Sequence, residues 1–582
     1  MGAALHAVNG IASSTPPGRA LRLAVLLAVA GGVILPIIAG LWETARAGFG
    51  ILPAIGANHL SLEPWRMLAE LPGLGTSLKL TLLTGLGATV LSLILAAGTC
   101  AAVHGRMSTR TGGRMLTPFL AAPHAAVAIG LAFLLSPSGW IARALAPLVG
   151  WDRPPMLITV NDPWGGALIL GLLVKEVPFL MLVMLSALSQ IAVARHIAVG
   201  RALGYGRGTV WVKVILPQVW PLVRLPVMVV LAYSLSVVDM ALILGPSNPP
   251  TLAVMLLRLF SAPDTAMLLP ASAGAVLQGV LVALSFGLLL LVERGVKRVG
   301  LWWLRRGGRG LSAEPGLMLT TGVTATVMMA GALGMLALVV WSLAWRWPWP
   351  GMLPESWSPG AWMRPGAGWG WALWHTVLLA FATTGLALAL AVAWLEGEDR
   401  ARMRRARWAE ALIYLPLLVP QIAFLYGLNV LFLRIGISGG MAAVIWAQAL
   451  FVFPYVMIAL SDPWRALDPG LPRAAAALGA GPWRRLWAVK LPVLLTPILT
   501  AAAIGVAVSV AQYLPTLFMG AGRIATLTTE AVTLSSSSDR RVTGVYATLQ
   551  AGLPFAAYAA AFLIPALAHR NRRALQGGGP GT

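Results

Sequence analysis

The sequence ALGYGRGTVWVKVILP, at Ala202–Pro217, returns 275 residues later as ALGAGPWRRLWAVKLP, at Ala477–Pro492. Without a gap, the two copies share Ala, Leu, both Gly, Leu and Pro at the same places. The same offset pairs further residues: Gly245 with Gly520, Thr251-Leu252 with Thr526-Leu527, and Asp264 with Asp539. Chance similarity between apolar segments does not keep one register from 202 to 264. The sequence therefore predicts a tandem duplication.

The composition restricts the class of protein. Of 582 residues, 58% are hydrophobic and 10% are charged, and the mean hydropathy is +0.81. Because a soluble globular chain carries about 25% charged residues, a soluble enzyme is excluded. The apolar content excludes an intrinsically disordered chain, and a single cysteine, Cys100, excludes a disulfide scaffold. The remaining class is a polytopic membrane protein.

Twelve segments are apolar over about the 20 residues that cross a hydrocarbon core of about 30 Å. They are 21–41, 77–103, 116–136, 164–189, 221–245 and 272–292 in the first half, and 319–343, 372–395, 410–432, 439–460, 494–518 and 545–568 in the second. Six spans separate equivalent points of the repeat, so the two halves have the same orientation. The expected fold is all-α, a polytopic membrane protein of about twelve transmembrane helices in two parallel six-helix repeats.

Basic residues predict the orientation of these spans. The chain has a net charge of +23, and most of its basic residues lie in every second loop. The positive-inside rule assigns these loops, and both termini with them, to the cytoplasm. The basic stretch 295–318 is the predicted cytoplasmic linker between a first half at 1–294 and a second half at 319–582. The first apolar segment follows Arg19 and Arg22 and is read either as a cleaved signal peptide or as an uncleaved span. Its length favours the span.

The repeated motif lies in the loop after the fourth span of each half. Each copy has a Gly, nine further residues and then Val-x-Leu-Pro. This pattern predicts a short helix (Val193–Ala202 or Arg473–Leu478), a turn at the Gly, a second short helix, and a Pro that begins the next span. Such a unit would present a ridge to a soluble partner. An ordinary Gly/Pro-punctuated connection is the alternative, but two copies in register on one side favour the docking interpretation.

This spacing resembles the cytoplasmic "EAA" loop of binding-protein-dependent ABC importer permeases, in which Glu-Ala-Ala precedes the Gly by six residues. The resemblance is greatest to permeases with two fused six-span halves that serve ferric iron, thiamine and related solutes. The positions of Glu-Ala-Ala hold Ala198-Val199-Gly200 in the first copy and Arg473-Ala474-Ala475 in the second, so the acidic residue is absent from both. The resemblance covers most of both halves and implies a type I importer fold.

The resemblance also implies how the chain works. The loops would dock two copies of an ATP-binding cassette subunit, and a periplasmic solute-binding protein would deliver a small solute at the bacterial inner membrane. The residues of the ATPase-coupling loops would be Arg201, Ala202, Leu203, Gly204, Val214, Leu216, Pro217, Arg473, Ala474, Ala475, Leu478, Gly479, Val489, Leu491 and Pro492. The sequence has no G-x-x-x-x-G-K-[ST] motif. The partner would therefore bind ATP and Mg²⁺, while this chain would be no enzyme and would hold no cofactor.

Polar residues at membrane depth are costly and mark candidate substrate-pathway positions. They are Lys175, Glu176, Asp239, Gln448 and Gln512, with His375 as a further polar candidate. A structural charge pair between helices is an equal alternative for the charged ones. His and Cys residues lack metal-ligand spacing, so no metal or catalytic site is expected.

The outer segments carry two further predictions. Nine tryptophans between 341 and 374 favour an interfacial aromatic belt over a site for a cationic ligand. Segments 246–271 and 519–544 would contact the binding protein, an implication of the resemblance alone. The basic cytoplasmic loops, with few aromatic residues, indicate membrane topology rather than a nucleic-acid surface.

Two other classes of protein are alternatives to the importer permease. An ion-coupled secondary transporter also has twelve spans in two parallel halves, but that class does not predict the duplicated loop. A membrane-embedded enzyme has no nucleophile–base pair in its favour. The identity of the solute stays open at this point.

Overall fold

The computed structural model describes residues 17–104, 109–307, 314–363, 368–401, 407–537 and 539–568. Within these ranges the chain is almost entirely helical. Two short antiparallel strand pairs accompany the helices, β1 (Ile51–Leu52) with β2 (Ala57–Asn58) and β3 (Ala344–Arg346) with β4 (Ser356–Trp357). The predicted all-α class is confirmed.

The first half contains fourteen of the described α-helices. They are α1 Pro17–Val29, α2 Leu35–Gly48, α3 Glu63–Glu70, α4 Leu74–Val103, α5 Thr109–Ala121, α6 His124–Leu135, α7 Trp140–Val149, α8 Gly166–Leu188, α9 Val193–Ala202, α10 Arg207–Val210, α11 Leu216–Ser236, α12 Asp239–Leu244, α13 Leu252–Phe260 and α14 Leu268–Arg305. Two π-helical turns, Ala30–Ile34 and Trp211–Ile215, join α1 to α2 and α10 to α11.

The second half repeats this order. Its described α-helices are α15 Glu314–Leu343, α16 Gly360–Met363, α17 Trp369–Ala401, α18 Arg407–Ile413, α19 Leu415–Leu418, α20 Gln421–Arg434, α21 Met441–Arg465, α22 Gly470–Ala477, α23 Pro482–Arg485, α24 Leu491–Val493, α25 Leu495–Ala511, α26 Leu514–Gly520, α27 Leu527–Leu534 and α28 Arg540–Ala568. A π-helical turn, Leu486–Lys490, joins α23 to α24.

Ten helices in the described ranges are long and apolar enough to cross a membrane. An eleventh span is formed if Pro482–Val493 and Leu495–Ala511, which meet at an angle of 77°, are counted together. These ten or eleven candidate spans of the described residues are close to the expected count of about twelve. The predicted segment 494–518 is the bent pair, and the segment 410–432 is not among the candidates because it divides into α18, α19 and α20. The 14 residues of α20 extend about 21 Å, less than a hydrocarbon core of about 30 Å.

The fifth span of each half is interrupted, which the sequence did not indicate. The predicted span 221–245 is divided at Val237-Val238, where α11 ends and α12 begins. The predicted span 494–518 is divided at Gln512-Tyr513, between α25 and α26. These breaks are 275 residues apart, the offset of the sequence repeat, so the duplication includes them.

Helix α14 is longer than the predicted span 272–292, because it continues to Arg305. Helix α15 begins at Glu314. Most of the predicted linker 295–318 is therefore helical, and its residues 308–313 lie outside the described ranges.

The first membrane span of each half packs against a helix of the other half. Helix α2 crosses α20, and α15 crosses α6. Glycine pairs allow both crossings: a Cβ on Gly427 would lie 2.0 Å from the carbonyl oxygen of Gly40, and a Cβ on Gly130 would lie 2.4 Å from that of Gly334. Small residues let membrane helices approach closely. We call this arrangement the helix exchange.

One hydrogen bond recurs at equivalent places of the two halves. The Thr81 hydroxyl in α4 accepts from the amide of Leu252 at 2.8 Å, and the Thr376 hydroxyl in α17 accepts from the amide of Leu527 at 2.9 Å. Each ties the N-terminus of a short helix, α13 or α27, to a long span. An otherwise unsatisfied N-terminal amide is thus paired within the membrane region.

Candidate functional site: two coupling loops and a buried polar pathway

Two helix–turn–helix units protrude at one end of the bundle. We define the first coupling loop as 193–217 and the second as 470–492. Gly204 has φ +78° and Gly479 has φ +81°, the left-handed conformation that glycine adopts without a steric penalty. Each glycine turns the chain from a first short helix, α9 or α22, into a second, α10 or α23. This is the shape that the motif predicts.

The proline of each loop lies in the first turn of a helix, Pro217 in α11 and Pro492 in α24, as the motif predicts. In the first half, Arg207–Ser236 forms one span through the π-helical turn Trp211–Ile215, and Pro217 follows this turn. In the second half, the π-helical turn Leu486–Lys490 precedes Pro492 in the same way. Because proline has no N–H and its ring crowds the preceding turn, a widened turn just before it joins the second short helix of the loop to the helix that contains the proline.

The apex of each loop exposes a leucine directly before the glycine. Leu203 is 59% exposed and Leu478 is 89% exposed. The predicted coupling residues around them are also exposed: Arg201, Ala202, Gly204, Arg473, Ala474 and Gly479. Large apolar side chains in this position are typical of a surface that a partner covers.

The base of each loop is less accessible. Val214 and Pro217 are exposed and Leu216 is half-buried, whereas Ala475, Val489, Leu491 and Pro492 are all half-buried. Gly200 is buried where α9 crosses α10, since a Cβ there would lie 2.3 Å from Val210 Cγ2. This contact explains the glycine at the last Glu-Ala-Ala position of the first copy.

The first coupling loop is held by one arginine that caps a neighbouring helix. Arg207 Nη2 donates to the carbonyl oxygens of Ala101, Ala102 and His104, at 2.7, 3.2 and 3.2 Å. These carbonyls belong to the C-terminal end of α4, where a cation is favourable. Burial and the nearby Arg207 lower the pKa of His104. Lys213 adds a cation–π contact, with Nζ 4.1 Å from the centre of the Trp303 ring.

The second coupling loop is held by ion pairs instead. Lys490 Nζ contacts Glu396 Oε2 at 2.7 Å and also pairs with Asp399. Glu396 pairs in turn with Arg400 at 2.7 Å. The Arg400 guanidinium lies 4.4 Å from the centre of the Trp483 ring, so the network reaches α23 of the loop.

The same network continues toward the N-terminal helix. Arg465, at the end of α21, contacts Glu398 at 2.9 Å and also pairs with Glu410. Arg22 of α1 lies 3.6 Å from Glu398 and 4.1 Å from the centre of the Trp394 ring. We call the eight charged residues the acidic-cluster network: Glu396, Glu398, Asp399, Glu410, Arg22, Arg400, Arg465 and Lys490.

The sequence prediction missed this network. Its signal is the run Glu396-Gly397-Glu398-Asp399-Arg400, four charges directly after an uncharged span. The basic residues of that loop indicate topology, but no local pattern shows which cations pair with these carboxylates. Glu396 and Glu398 are 3% and 6% exposed, and buried carboxylates need paired cations.

Lys175, a predicted pathway residue, binds backbone carbonyls. Its Nζ donates to the oxygens of Phe119, Leu120 and Ala122, at 2.8, 3.3 and 2.6 Å. An ammonium has three donors, and all three are used at the C-terminal end of α5. These contacts place the ammonium of Lys175 at the end of α5, and its role in a substrate pathway stays a prediction.

Glu176 and Asp239 are both buried, at 6% and 8% exposure. Lys175 is an electrostatic partner of each. Asp239 is the first residue of α12, directly after the helix break of the first half. Tyr513 lies at the break of the second half, directly before α26. Each break thus carries a polar residue.

Gln448 bridges the break of the second half. Its Nε2 donates to Thr516 Oγ1 at 2.9 Å, and its Oε1 accepts from Ser509 Oγ at 2.5 Å. Thr516 Oγ1 also donates to the backbone oxygen of Gln512 at 3.3 Å, at the end of α25. His375 Nδ1 lies 3.1 Å from the Ala525 oxygen. The groups around Gln448 pair polar atoms where the helix is interrupted, whereas His375 pairs with a backbone carbonyl of the loop before α27.

The tryptophan-rich outer segment is only partly an exposed belt. The indoles of Trp347, Trp349 and Trp140 donate to the carbonyls of Gly351, Trp151 and Met352, respectively. Arg143, a cation of the protein itself, lies 4.8 Å from the centre of the Trp347 ring. Through these hydrogen bonds and the cation–π contact, the outer segment after α15 packs against α7 and the residues that follow it. Other rings, Trp345, Trp357, Trp371 and Trp374, are exposed as an interfacial belt would be.

Comparison with known proteins gives the family. The family model described as "Binding-protein-dependent transport system inner membrane component" matches residues 385–568. The inner membrane ABC transporter permease protein YnjC of Escherichia coli (strain K12) is 31% identical over 509 residues, which cover 87% of this chain and 91% of YnjC. This chain belongs to the ABC transporter permease family.

Other permeases match shorter parts of the chain. The molybdenum transport system permease protein ModB of Mycobacterium tuberculosis is 31% identical over 164 residues, 26% of this chain and 62% of ModB. The putative 2-aminoethylphosphonate transport system permease protein PhnV of Salmonella typhimurium is 24% identical over 168 residues, 28% of this chain and 63% of PhnV.

Family membership confirms several predictions. The permease is a multi-pass inner membrane protein and a transport subunit, as its relatives are. The ion-coupled secondary transporter, the main alternative, is not supported. Permeases that depend on a binding protein also imply an ATPase subunit and a solute-binding protein as partners.

Proposed function

We propose that this permease supplies both halves of an importer pathway and docks two ATPase copies, one on each coupling loop. The observation that carries the proposal is the repetition of one docking unit in a single chain. Gly204 and Gly479 have the same left-handed turn, and each follows an exposed leucine, Leu203 or Leu478. Two equal units suit a dimer of ATPase subunits.

The coupling loops then face the cytoplasm, together with both termini. The basic residues of the loops support this orientation, because positive charge accumulates on the cytoplasmic side. The opposite end, including 246–271 and 519–544, would receive solute from the binding protein. Exposed apolar and aromatic residues of the outer helices would contact lipid.

Each coupling loop leads into a span that is broken at its other end. A force on Leu203 would pass through the π-helical turn Trp211–Ile215 into α11, which ends at the break before Asp239. The corresponding route in the second half runs from Leu478 through the 77° bend between Val493 and Leu495 to the break at Gln512. ATP binding and hydrolysis in the partner would shift the population between outward-open and inward-open states. ATP and Mg²⁺ would be bound by that partner, and this chain would need no cofactor.

The experiment is reconstitution of the full permease in proteoliposomes with its cognate ATPase and binding protein. Leu478→Asp should remove solute uptake and binding of the ATPase subunit, because it places a charge at the apex of the docking surface. Leu60→Asp is the matched control, since Leu60 is similarly exposed, at 78%, but lies outside both loops.

Uptake by the permease alone, driven by a proton gradient without the ATPase, would contradict this proposal. So would normal uptake by Leu478→Asp at the wild-type amount of inserted protein. The stoichiometry is tested by mass measurement of the purified complex, for which we expect two ATPase subunits for each permease chain.

A further inference from the structure

A cavity of about 310 Å³ lies between the two halves. It is on the side opposite the coupling loops, because its residue Asn161 precedes α8, whose other end leads into the first coupling loop. Its apolar wall includes Ile129 and Ile243 of the first half. Its polar residues come from both halves: Ser136, Asn161, Ser535, Ser537, Arg540 and Thr543. No carboxylate is among the described residues that line it.

Arg540 provides positive charge at this cavity. Its Nη2 donates to Ser138 Oγ at 3.0 Å, and its guanidinium lies 5.9 Å from the centre of the Phe133 ring. No ion pair joins it to any residue in the described ranges. The neighbouring Arg541 differs, because it binds Asp539 at 3.1 Å and its charge is compensated. A guanidinium has five N–H donors, so Arg540 retains donors for a ligand.

The hydroxyl groups of the lining divide into two sets. Ser535 Oγ and Thr543 Oγ1 donate to the carbonyl oxygens of Val532 and Leu534, at 2.6 and 2.9 Å. Ser136 is 9% exposed, and its hydroxyl has no hydrogen-bond partner in the described part of the chain. A buried polar group without a partner is costly and calls for an explanation such as a ligand.

We propose that this cavity binds the oxyanion group of the transported solute, with Arg540 as its charged ligand and Ser136 as a hydroxyl donor. Guanidinium groups bind carboxylate and phosphate oxygens through parallel N–H donors. A cation is disfavoured here, since the lining offers Arg540 and no described carboxylate. Asp239 lies one helical turn, about 6 Å, below Ile243 along α12 and is outside the lining. The site depends on the proposed transport function, of which it would be the outer recognition step.

The test measures binding of inorganic phosphate and methylphosphonate to the full permease in nanodiscs by equilibrium dialysis. We expect saturable binding of at least one of these oxyanions to the wild-type protein. Arg540→Gln should weaken that binding by at least about tenfold, because a charge-assisted hydrogen bond is lost. Arg153→Gln, at an exposed arginine outside the cavity and outside both segments assigned to the binding protein, should bind as the wild type does.

A second variant separates ligand binding from folding. Ser136→Val should weaken oxyanion binding while leaving thermal stability unchanged or raised, because the replaced hydroxyl has no partner in the described chain. Unchanged oxyanion affinity in both Arg540→Gln and Ser136→Val would overturn the proposal. Saturable binding of tetramethylammonium in place of either oxyanion would also overturn it.

Failure of this inference and failure of the transport function give different results. If the reconstituted complex hydrolyses ATP in response to the binding protein but the permease binds no oxyanion, the cavity assignment is wrong and the transport function stands. If oxyanions bind in an Arg540-dependent way but the ATPase never associates, the cavity assignment stands and the proposed coupling is wrong. If Arg540→Gln weakens only the binding protein's association, the cavity is a protein-docking site and the solute assignment is overturned.

Discussion

The two coupling loops have the same backbone shape but different anchors. Both have a left-handed glycine and a π-helical turn before a proline. In the first loop, Arg207 caps the backbone carbonyls at the end of α4. In the second, Lys490 enters the acidic-cluster network. Duplication thus preserved the geometry that a partner would contact, while the side chains that fix each loop to its own half diverged.

The difference has an energetic consequence. A hydrogen bond from a charged group to a neutral carbonyl contributes about 1.5–3 kcal/mol. Removing one partner from a buried ion pair costs about 3–5 kcal/mol, because the remaining charge is left uncompensated. The second loop is therefore held in a more charge-dependent way, and single substitutions in its anchor should have larger effects.

The largest expected effect comes from breaking the shape that the loops share. Gly204→Asp and Gly479→Asp should each remove transport, since both place a side chain in a left-handed turn and a charge on the docking surface. Gly479 has open space around its Cβ position, so the permease should still fold and insert. Solute uptake and ATPase co-purification are the measurements.

Gly481→Asp is the matched control for this comparison. It adds the same charge two residues away, at φ −65°, a conformation open to all residues. It should retain most of the uptake. Equal loss in Gly481→Asp and Gly479→Asp would mean that charge alone, rather than the turn, explains the defect.

The next effect compares the anchors. Lys490→Met should destabilise the permease by about 3 kcal/mol, because Glu396 and Asp399 lose a buried cation. Lys213→Met, in the π-helical turn of the first loop, should cost about 1 kcal/mol, the scale of a cation–π contact. Thermal inactivation of both variants in nanodiscs measures this difference. Equal losses would show that the two anchors do not differ as described.

An effect smaller than that of Lys490→Met is expected at Arg207, the anchor of the first loop. Arg207→Met should cost about 2 kcal/mol, because the C-terminal carbonyls of α4 lose their charged donor. Limited proteolysis of the first loop should become faster, while cleavage of the second loop stays at the wild-type rate. Faster cleavage in both loops would indicate that the anchors are coupled rather than separate.

Hydropathy and periodicity were sufficient for much of the fold. Long apolar segments predict spans one at a time, and the shared offset of 275 residues predicts the duplication and both loops. Single-segment patterns do not predict the breaks before Asp239 and after Ala511, because each segment stays apolar throughout. The helix breaks depend on neighbours such as Gln448, which supply the missing hydrogen bonds.

Ion pairs and hydrogen bonds between residues far apart in the chain could not be predicted from the sequence either. Arg22 contacts Glu398 across most of the chain, and no local pattern connects them. Lys175 was a pathway candidate because buried charge usually has a function. Its ammonium caps the end of α5, an arrangement that requires knowledge of where that helix ends. The roles of the coupling residues and of Lys175, Glu176, Asp239, Gln448 and Gln512 stay predictions.

The helix exchange has a consequence for biosynthesis. Gly40 crosses Gly427, a residue that is made 387 positions later. Because translation proceeds at about 5–20 residues per second, α2 stays in the membrane for about 20–80 s before α20 is made. During that time the ribosome must complete almost the whole of the first half and a large part of the second. Neither half of the permease can therefore complete its packing alone, and the helix bundle is complete only after α20 has been made.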